Sequence, residues 1–464
     1  MNILKKLEAF SFNQNKEFLS NLLRLALPMI VQSMTMALLH MIDVVMVGQL
    51  GEVAIAAVGV SGQAVFLMTM FFMGVNTGTA SLMSQHWGAQ NVPAVRQLLG
   101  VSLRITFCAA LVFFVIGRFF PRNFMEIYSN DAAVIEAGVQ YMSIVAFSYL
   151  FVAIAQTFAT CHRATESVKL PMTTGIIAVC TNTVLNFLLI GGNFGFPALG
   201  IRGAAIATVI ACSLEAIVIL SVTYCRKMTP AAKISELIIP FRKKLIHWRT
   251  YLIVVAPVIA GELFWALGEA QFKFVYSRMG TDVMAGVGIS TSIERLVVVV
   301  IGGIAMSTAV MLGKLIGEGN REKATVYMKK CMIFTGMVSI CLLTILFFLR
   351  GTILSIFNVS PDVRMIAFNL LGVYYFIGFL RHLNFTSIAG VLRGGGDTRF
   401  AMYIDTIPLW IFGVPLAYIF GLVVGWPPHW IYMLFGIEQS IKLVLGIIRM
   451  KKGKWIHDLA SSGV

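Results

Sequence analysis

Residues 28–91 read PMIVQSMTMALLHMIDVVMVGQLGEVAIAAVGVSGQAVFLMTMFFMGVNTGTASLMSQHWGAQN, and residues 257–320 read PVIAGELFWALGEAQFKFVYSRMGTDVMAGVGISTSIERLVVVVIGGIAMSTAVMLGKLIGEGN. Laid one over the other, they share their punctuation without a gap. Pro28 falls on Pro257, Gly51 on Gly280, Gly59 on Gly288, Ser61 on Ser290, Gly74 on Gly303, Gly88 on Gly317 and Asn91 on Asn320, each pair 229 positions apart. In both copies a Pro opens an apolar run, a Gly ends it, and a second apolar run closes at Gly-x-x-Asn. A later set, Arg163, Lys169 and Met172, lies 230 positions before Arg393, Arg399 and Met402. The chain is two related halves, and a repeat in a chain this apolar points to a transporter of two bundles around a central site.

Composition sets the class. Hydrophobic residues make up 58% of the chain and charged residues 12%, and the mean hydropathy is +0.84. Soluble domains carry about 25% charged residues, so this chain could not cover its own surface in water. A barrel would alternate polar and apolar residues, and these runs do not. About 20 apolar residues cross a bilayer as a helix. Such runs start near Asn21, Ala54, Arg96, Val134, Leu170, Gly200, Tyr251, Met284, Thr325, Met365, Ala401 and Trp430. The expected fold is an all-α polytopic membrane protein, with about twelve transmembrane helices as two pseudo-symmetric six-helix bundles. The domains read as 1–225 and 250–464, joined by a basic cytoplasmic linker, 226–249. The first run is too long for a cleaved signal, and no small-residue cleavage site ends it.

Lys and Arg give the orientation. They gather at both ends and in even-numbered connections: Lys5, Lys6 and Lys16; Arg163 and Lys169; Arg321 and Lys323; Arg449, Lys451, Lys452 and Lys454. The joint between the halves is richest, with Arg226, Lys227, Lys233, Arg242, Lys243, Lys244 and Arg249. Odd-numbered connections hold little beyond Arg122, Arg202, Arg278 and Arg350. The positive-inside rule therefore places both termini and the linker in the cytoplasm, at a bacterial-type plasma (inner) membrane. The net charge of +15 follows from topology and attraction to anionic lipid, with no nucleic-acid partner implied. The seven cysteines form no C-x-x-C pair and read as small buried hydrophobes, with no structural metal site. No P-loop, nucleophile elbow or H-E-x-x-H occurs, which excludes an ATP-driven pump and argues against an intramembrane enzyme.

A charge at bilayer depth is costly, so each one needs an explanation. Asp43 lies in the outer half of the first span, with His40 one turn before it on the same face. It reads as a proton or sodium site, or as an acceptor that ties the first helix to a neighbour. Glu262 and Glu269 share a face of the seventh span. Lys273, four residues past Glu269, can pair with it; Glu262 has no such local partner. Glu294 and Arg295 in the eighth span and Glu215 in the sixth are further candidates, with Arg295 free to serve Glu262 or Glu269. Asn182 and Asn186, one turn apart in the fifth span, can offer carbonyl oxygens to a hard cation or bond between helices. Under the 229-residue shift Asp43 falls on Phe272, Glu262 on Ser33 and Glu269 on His40. The scaffold is repeated and the charged chemistry is not, which suggests one half nearer to ion coupling and one nearer to substrate.

Several strings together resemble one family, the multidrug and toxic compound extrusion (MATE) transporters. They are IDVVMVGQLG at 42–51, GVNTGTASLMSQHWGAQN at 74–91, LNFLLIGGNFGFPALGIRGAAIATVI at 185–210, GELFWALGEAQFKFVYSRMGTD at 261–282 and IAGVLRGGGDTRF at 388–400. The resemblance implies a V-shaped pair of six-helix bundles exchanging inward- and outward-facing states. It implies a secondary antiporter, not an enzyme, that uses H+ or Na+ entry to export cationic or amphipathic drugs and toxic organic compounds; a monomer is expected. It needs no cofactor beyond the transported ion, and its partners are the small-molecule substrate and membrane lipid. The family's first-span aspartate falls on Asp43, and its fifth-span polar pair on Asn182 and Asn186. The second of that pair is Asp in some members, so this chain has one carboxylate fewer. The seventh-span glutamate falls nearest Glu262, and the aspartate after the LRG string falls on Asp397, which also reads as a helix N-cap before Thr398. Substrate or a second cation is then expected at Glu262, Glu269 and Asp397, with His40, Lys273, Glu294 and Arg295 as supporting polar groups. The alternative is a lipid-linked oligosaccharide or peptidoglycan-precursor flippase of the same superfamily.

Overall fold

The computed structural model describes residues 12–233, 236–237 and 246–460, without the side chains of residues 12–14, 39–41 and 44. Among the described residues, twelve helices are long and apolar enough to cross a membrane. They are α1 (Phe12–Gly48), α2 (Glu52–Gly88), α3 (Val92–Phe119), α4 (Ala132–Ala164), α5 (Lys169–Gly191), α6 (Ile201–Cys225), α7 (Trp248–Met279), α8 (Thr281–Gly317), α9 (Arg321–Ser355), α10 (Pro361–Leu392), α11 (Thr398–Val423) and α12 (Pro428–Lys451). A short helix, Pro121–Tyr128, stands between α3 and α4. Helices are the expected form, because lipid satisfies no backbone group and a helix satisfies its own. Large apolar side chains face outward, Phe348 at 77% and Val423 at 82% exposure. In water that surface would be unstable, whereas lipid accepts it.

The chain forms two compact units. One comprises Val31–Tyr251, and the other Leu252–Val464 with the start of the chain through Ile30. The early turns of α1 thus belong with the second unit and its later turns with the first. The first core is built around Met68, Phe72, Ala110, Val145 and Tyr149. The second is built around Phe272, Tyr276, Leu370, Leu409 and Ile431.

The repeat has a local explanation. Gly51 and Gly280 stand just before α2 and α8 with φ of 101° and 129°, a region where a Cβ is strained and glycine is not. Asn91 and Asn320 are N-caps. Asn91 accepts from the Ala94 amide at 3.2 Å and Asn320 from the Lys323 amide at 3.1 Å. Each copy therefore specifies one stop and one start of the same helical pair. Pro28 and Pro257 do not begin helices; both sit inside long ones.

The later spans depart from regular helix. α10 passes into a π turn at Thr386–Leu392, and α11 is interrupted at Leu409–Gly413 and Ile419–Val423. Pro408 and Pro415 on α11 remove backbone donors there, which favours local widening. The cysteines differ from expectation. Cys161 and Cys331 are buried, but Cys108, Cys180, Cys225 and Cys341 are exposed on the protein surface. Next to lipid, a thiol gains nothing further by hiding from water.

α5 and α6 are drawn together by a hairpin whose amides from Leu199 and Gly200 bond to the Leu189 and Ile190 carbonyls at 2.9 and 3.3 Å. Gly203 makes this approach possible, since a Cβ there would stand 2.5 Å from the Leu189 oxygen. Gly203→Ala should lower the thermal midpoint in detergent, at a cost of about 1–3 kcal/mol for overpacking. Gly59→Ala, where a Cβ meets nothing within 4 Å, should not. Equal midpoints for the two variants would show that the α5–α6 approach can relax.

Candidate functional site

In the first unit, three of the expected polar residues meet. Asn186 Nδ2 donates to Asp43 Oδ1 at 2.7 Å and to Asn182 Oδ1 at 2.9 Å. The same Asn182 atom position lies 2.8 Å from Asp43 Oδ1. Three polar atoms thus form a closed triangle, and its hydrogen-bond logic is restrictive. An ionised carboxylate only accepts, so both amides would have to turn nitrogen toward it. The two nitrogens would then face each other with no acceptor between them. Turning either amide over instead sets oxygen against oxygen. No amide orientation satisfies all three edges around a bare carboxylate. With a proton on Asp43 all three are satisfied: Asp43 donates to Asn182 Oδ1, and Asn186 donates to both. Asn182 Nδ2 also reaches Thr208 Oγ1 on α6 at 3.3 Å, and Asn186 Oδ1 is buried without a partner. Thr208 was not anticipated from the sequence, where it is one of many small polar residues. The His40 side chain lies outside the described residues.

The second unit holds ion pairs that the sequence did not reveal. Glu262 bonds directly to Arg393, with both side chains buried. Arg381 lies between Glu269 at 3.7 Å and Glu294 at 3.5 Å, and Tyr432 donates to Glu294 at 2.8 Å. Lys442 bonds to Asp405 at 3.0 Å and to Glu438 one turn away. Two expectations are corrected here. Lys273 is exposed and does not take Glu269, whose partner is Arg381. Arg295 is also exposed and serves neither Glu262 nor Glu269. In each case a base from another helix reaches the carboxylate from inside the bundle, while the base on the same or an adjacent helix points outward. Glu438 and Lys442 carry a local signal, their i,i+4 spacing, though neither was anticipated from the sequence; Arg381 and Arg393 carry none.

Asp397 precedes α11 at the N-cap position, yet its side chain makes no capping bond. It bonds instead to Arg449 at 2.7 and 3.2 Å and lies 3.5 Å from His457 Nε2. The segment after α12 folds back onto the glycine run before Asp397. His457 N donates to Gly395 O at 2.8 Å, and Trp455 is fully buried. The N-cap reading of the Asp397 side chain is thus replaced by a clamp on the C-terminal segment. Burial alone would raise the Asp397 pKa, but the bonds and charges of His457 and Arg449 outweigh it and hold the carboxyl below its ordinary value.

The MatE family model matches the chain twice, over residues 28–188 and 257–419. The chain belongs to the MatE family. The two matches begin at Pro28 and Pro257, the pair that opens the repeat. MatE relatives align along nearly the whole length. The chain is 23% identical to the uncharacterized transporter YisQ of Bacillus subtilis, over 89% of this chain and 90% of that one. It is 24% identical to the probable multidrug resistance protein NorM of Thermotoga maritima, over 95% and 93%. The fold is similar to that of a solved MOP superfamily transporter from Pyrococcus furiosus, with a TM-score of 0.83 at 17% identity, over 94% of this chain and 96% of that one. This MatE chain is a membrane transporter and not an enzyme.

Two measurements test these pairs. Glu262→Gln leaves Arg393 buried without a countercharge, and breaking such a pair costs about 3–5 kcal/mol. Its thermal midpoint in detergent should fall, and adding Arg393→Gln should restore part of the loss. The Asp397 clamp has the sign of a carboxylate with a depressed folded-state pKa. Its stabilisation is complete above the unfolded value of about 3.9 and is lost as pH falls through the lower folded value. Amide exchange across residues 453–460 should therefore stay slow from neutral pH down to about pH 5 and quicken at neutral pH in Asp397→Asn.

Proposed function

We propose that this protein is a cation-coupled antiporter that exports cationic or amphipathic organic compounds by alternating access, with Asp43 as the coupling group. The observation that carries the reading is the Asp43–Asn182–Asn186 triangle, whose three edges are satisfied together when Asp43 holds a proton. Loss of that proton either sets the Asp43 and Asn182 oxygens of α1 and α5 against each other at 2.8 Å or turns the two amide nitrogens of α5 to face each other at 2.9 Å, so the bonds that tie α1 to α5 must rearrange. Protonation thereby differs in free energy between two arrangements, as a coupling ion requires. A gap of a few kcal/mol between states is all that one proton needs to overcome.

Sodium is the second reading, and one atom favours it. The partnerless Asn186 Oδ1, with Asp43 and Asn182 oxygens close by, offers the hard oxygen ligands such a cation takes. The names of the relatives support organic export, since NorM of Thermotoga maritima is described as a probable multidrug resistance protein. Cationic cargo is favoured by the second unit. Within its ion-pair cluster, Arg381, Arg393 and Lys442 are shared among five carboxylates, Glu262, Glu269, Glu294, Asp405 and Glu438, so acids outnumber bases in that cluster. A flippase for anionic lipid-linked precursors would need those bases free. The positive-inside pattern supports cytoplasmic termini at a bacterial inner membrane.

Asp43→Asn should cut gradient-driven efflux from proteoliposomes by about tenfold or more, equivalent to at least about 1.4 kcal/mol, with expression near normal. In the wild type, an imposed proton gradient should drive efflux without sodium. Efflux driven only by a sodium gradient would move the reading to sodium. Wild-type efflux by Asp43→Asn would remove Asp43 from coupling.

A further inference from the structure

The face of α6 that carries Thr208 also carries Cys212 and Glu215, at spacings of four and seven residues. Thr208 receives the Asn182 amide, so this face is turned to the Asp43 site. Seven residues at 1.5 Å each set Glu215 about 10 Å further along the helix, near the middle of Ile201–Cys225. Glu215 is half-buried, and among the described residues it makes no hydrogen bond and no ion pair. The charge that acts on it is the Arg163 guanidinium of α4, and Cys212 between the sites lies in the field of both Asp43 and Glu215. Arg163 donates to Gln32 at 3.3 Å and to Thr160 at 3.0 Å, while its Nε is buried with no partner.

The repeat gives this arrangement meaning. Arg163 and Arg393 are counterparts, and each reaches the first helix of its own half. Arg393 finds Glu262 there and forms a closed, buried pair. Arg163 finds neutral Gln32, and the position equivalent to Glu262 is Ser33. The first unit thus keeps the arginine and moves the carboxylate to α6, out of contact. A closed pair holds its charge, whereas a loosely paired acid at mid-membrane can take and release a proton. Unpaired acids at that depth mark ion pathways.

We propose that Glu215 is the inner station of the cation path. The Asp43 carboxylic acid loses its proton through water to the Glu215 carboxylate. Glu215, then neutral, releases the proton to cytoplasmic water, and Arg163 stabilises the carboxylate that remains. This rests on the antiport reading with a proton as the ion, and adds to it a second titrating residue.

The test compares Glu215→Gln with Asp43→Asn in proteoliposomes, using ethidium as the cationic probe. Glu215→Gln should bind ethidium as the wild type does and lose gradient-driven efflux by more than about tenfold. Wild-type efflux by Glu215→Gln beside an inactive Asp43→Asn would overturn the inner station and leave the antiport reading standing. Wild-type efflux by both would overturn the inner station and also remove Asp43 from coupling. Loss of ethidium binding in Glu215→Gln would make Glu215 a substrate ligand, and the station would fall. Should Glu215→Gln not fold, the wild type can be treated with dicyclohexylcarbodiimide, which attacks protonated carboxyls in apolar surroundings. A peptide map with an adduct at Glu215, rising in step with lost efflux, is expected. A modified Glu215 with efflux intact, or no adduct at Glu215 after complete reaction at Asp43, overturns the proposal.

Discussion

The bilayer core supplies no hydrogen-bond partner, and the rest of this structure answers to that constraint. Backbone groups are satisfied within helices, so the chain is helical throughout its apolar runs. Side chains have no such internal solution. A carboxylate on one span must find a donor in its unit, on another span or one turn along its own, or carry a proton. The ion pairs of the second unit take the first route, and the Asp43 triangle is closed only by the second.

The two units therefore spend similar scaffolds on different chemistry. The shared features are backbone devices: a positive-φ glycine before α2 and α8, and an asparagine cap before α3 and α9. Their roles need no particular charge, so the repeat is faithful there. Arg163 and Arg393 show the divergence. The same position reaches the same neighbouring helix in each half, but only one copy finds an acid. Removing a countercharge from a buried base is costly, and in the first unit Gln32, Thr160 and the more distant Glu215 offset that cost. The arrangement has electrostatic slack, which a fixed structural pair does not.

Much of the fold was legible because its signals are local. Apolar runs gave the spans, since length against bilayer thickness is a property of one segment. The repeat gave the two-half organisation, and the family model begins at the same two prolines. At the candidate site the sequence singled out Asp43, Asn182 and Asn186 as exceptional at their depth. It misplaced the partners of Glu269, looking one turn away to Lys273 when the base was Arg381. Helical spacing describes one surface of one helix, and a side chain four residues along can point outward as Lys273 does.

The sequence by itself determined the class, the number of spans, the repeat and the identity of the costly residues, because each depends on composition or on spacing along one helix. Only the tertiary structure decided which polar groups meet. Asn186 reaches Asp43 across 143 residues, and Arg393 reaches Glu262 across 131. Those encounters depend on how helices pack, and packing is set by the shapes of many side chains acting together. The triangle's demand for a proton exists only once three atoms from two helices stand within 3 Å of one another.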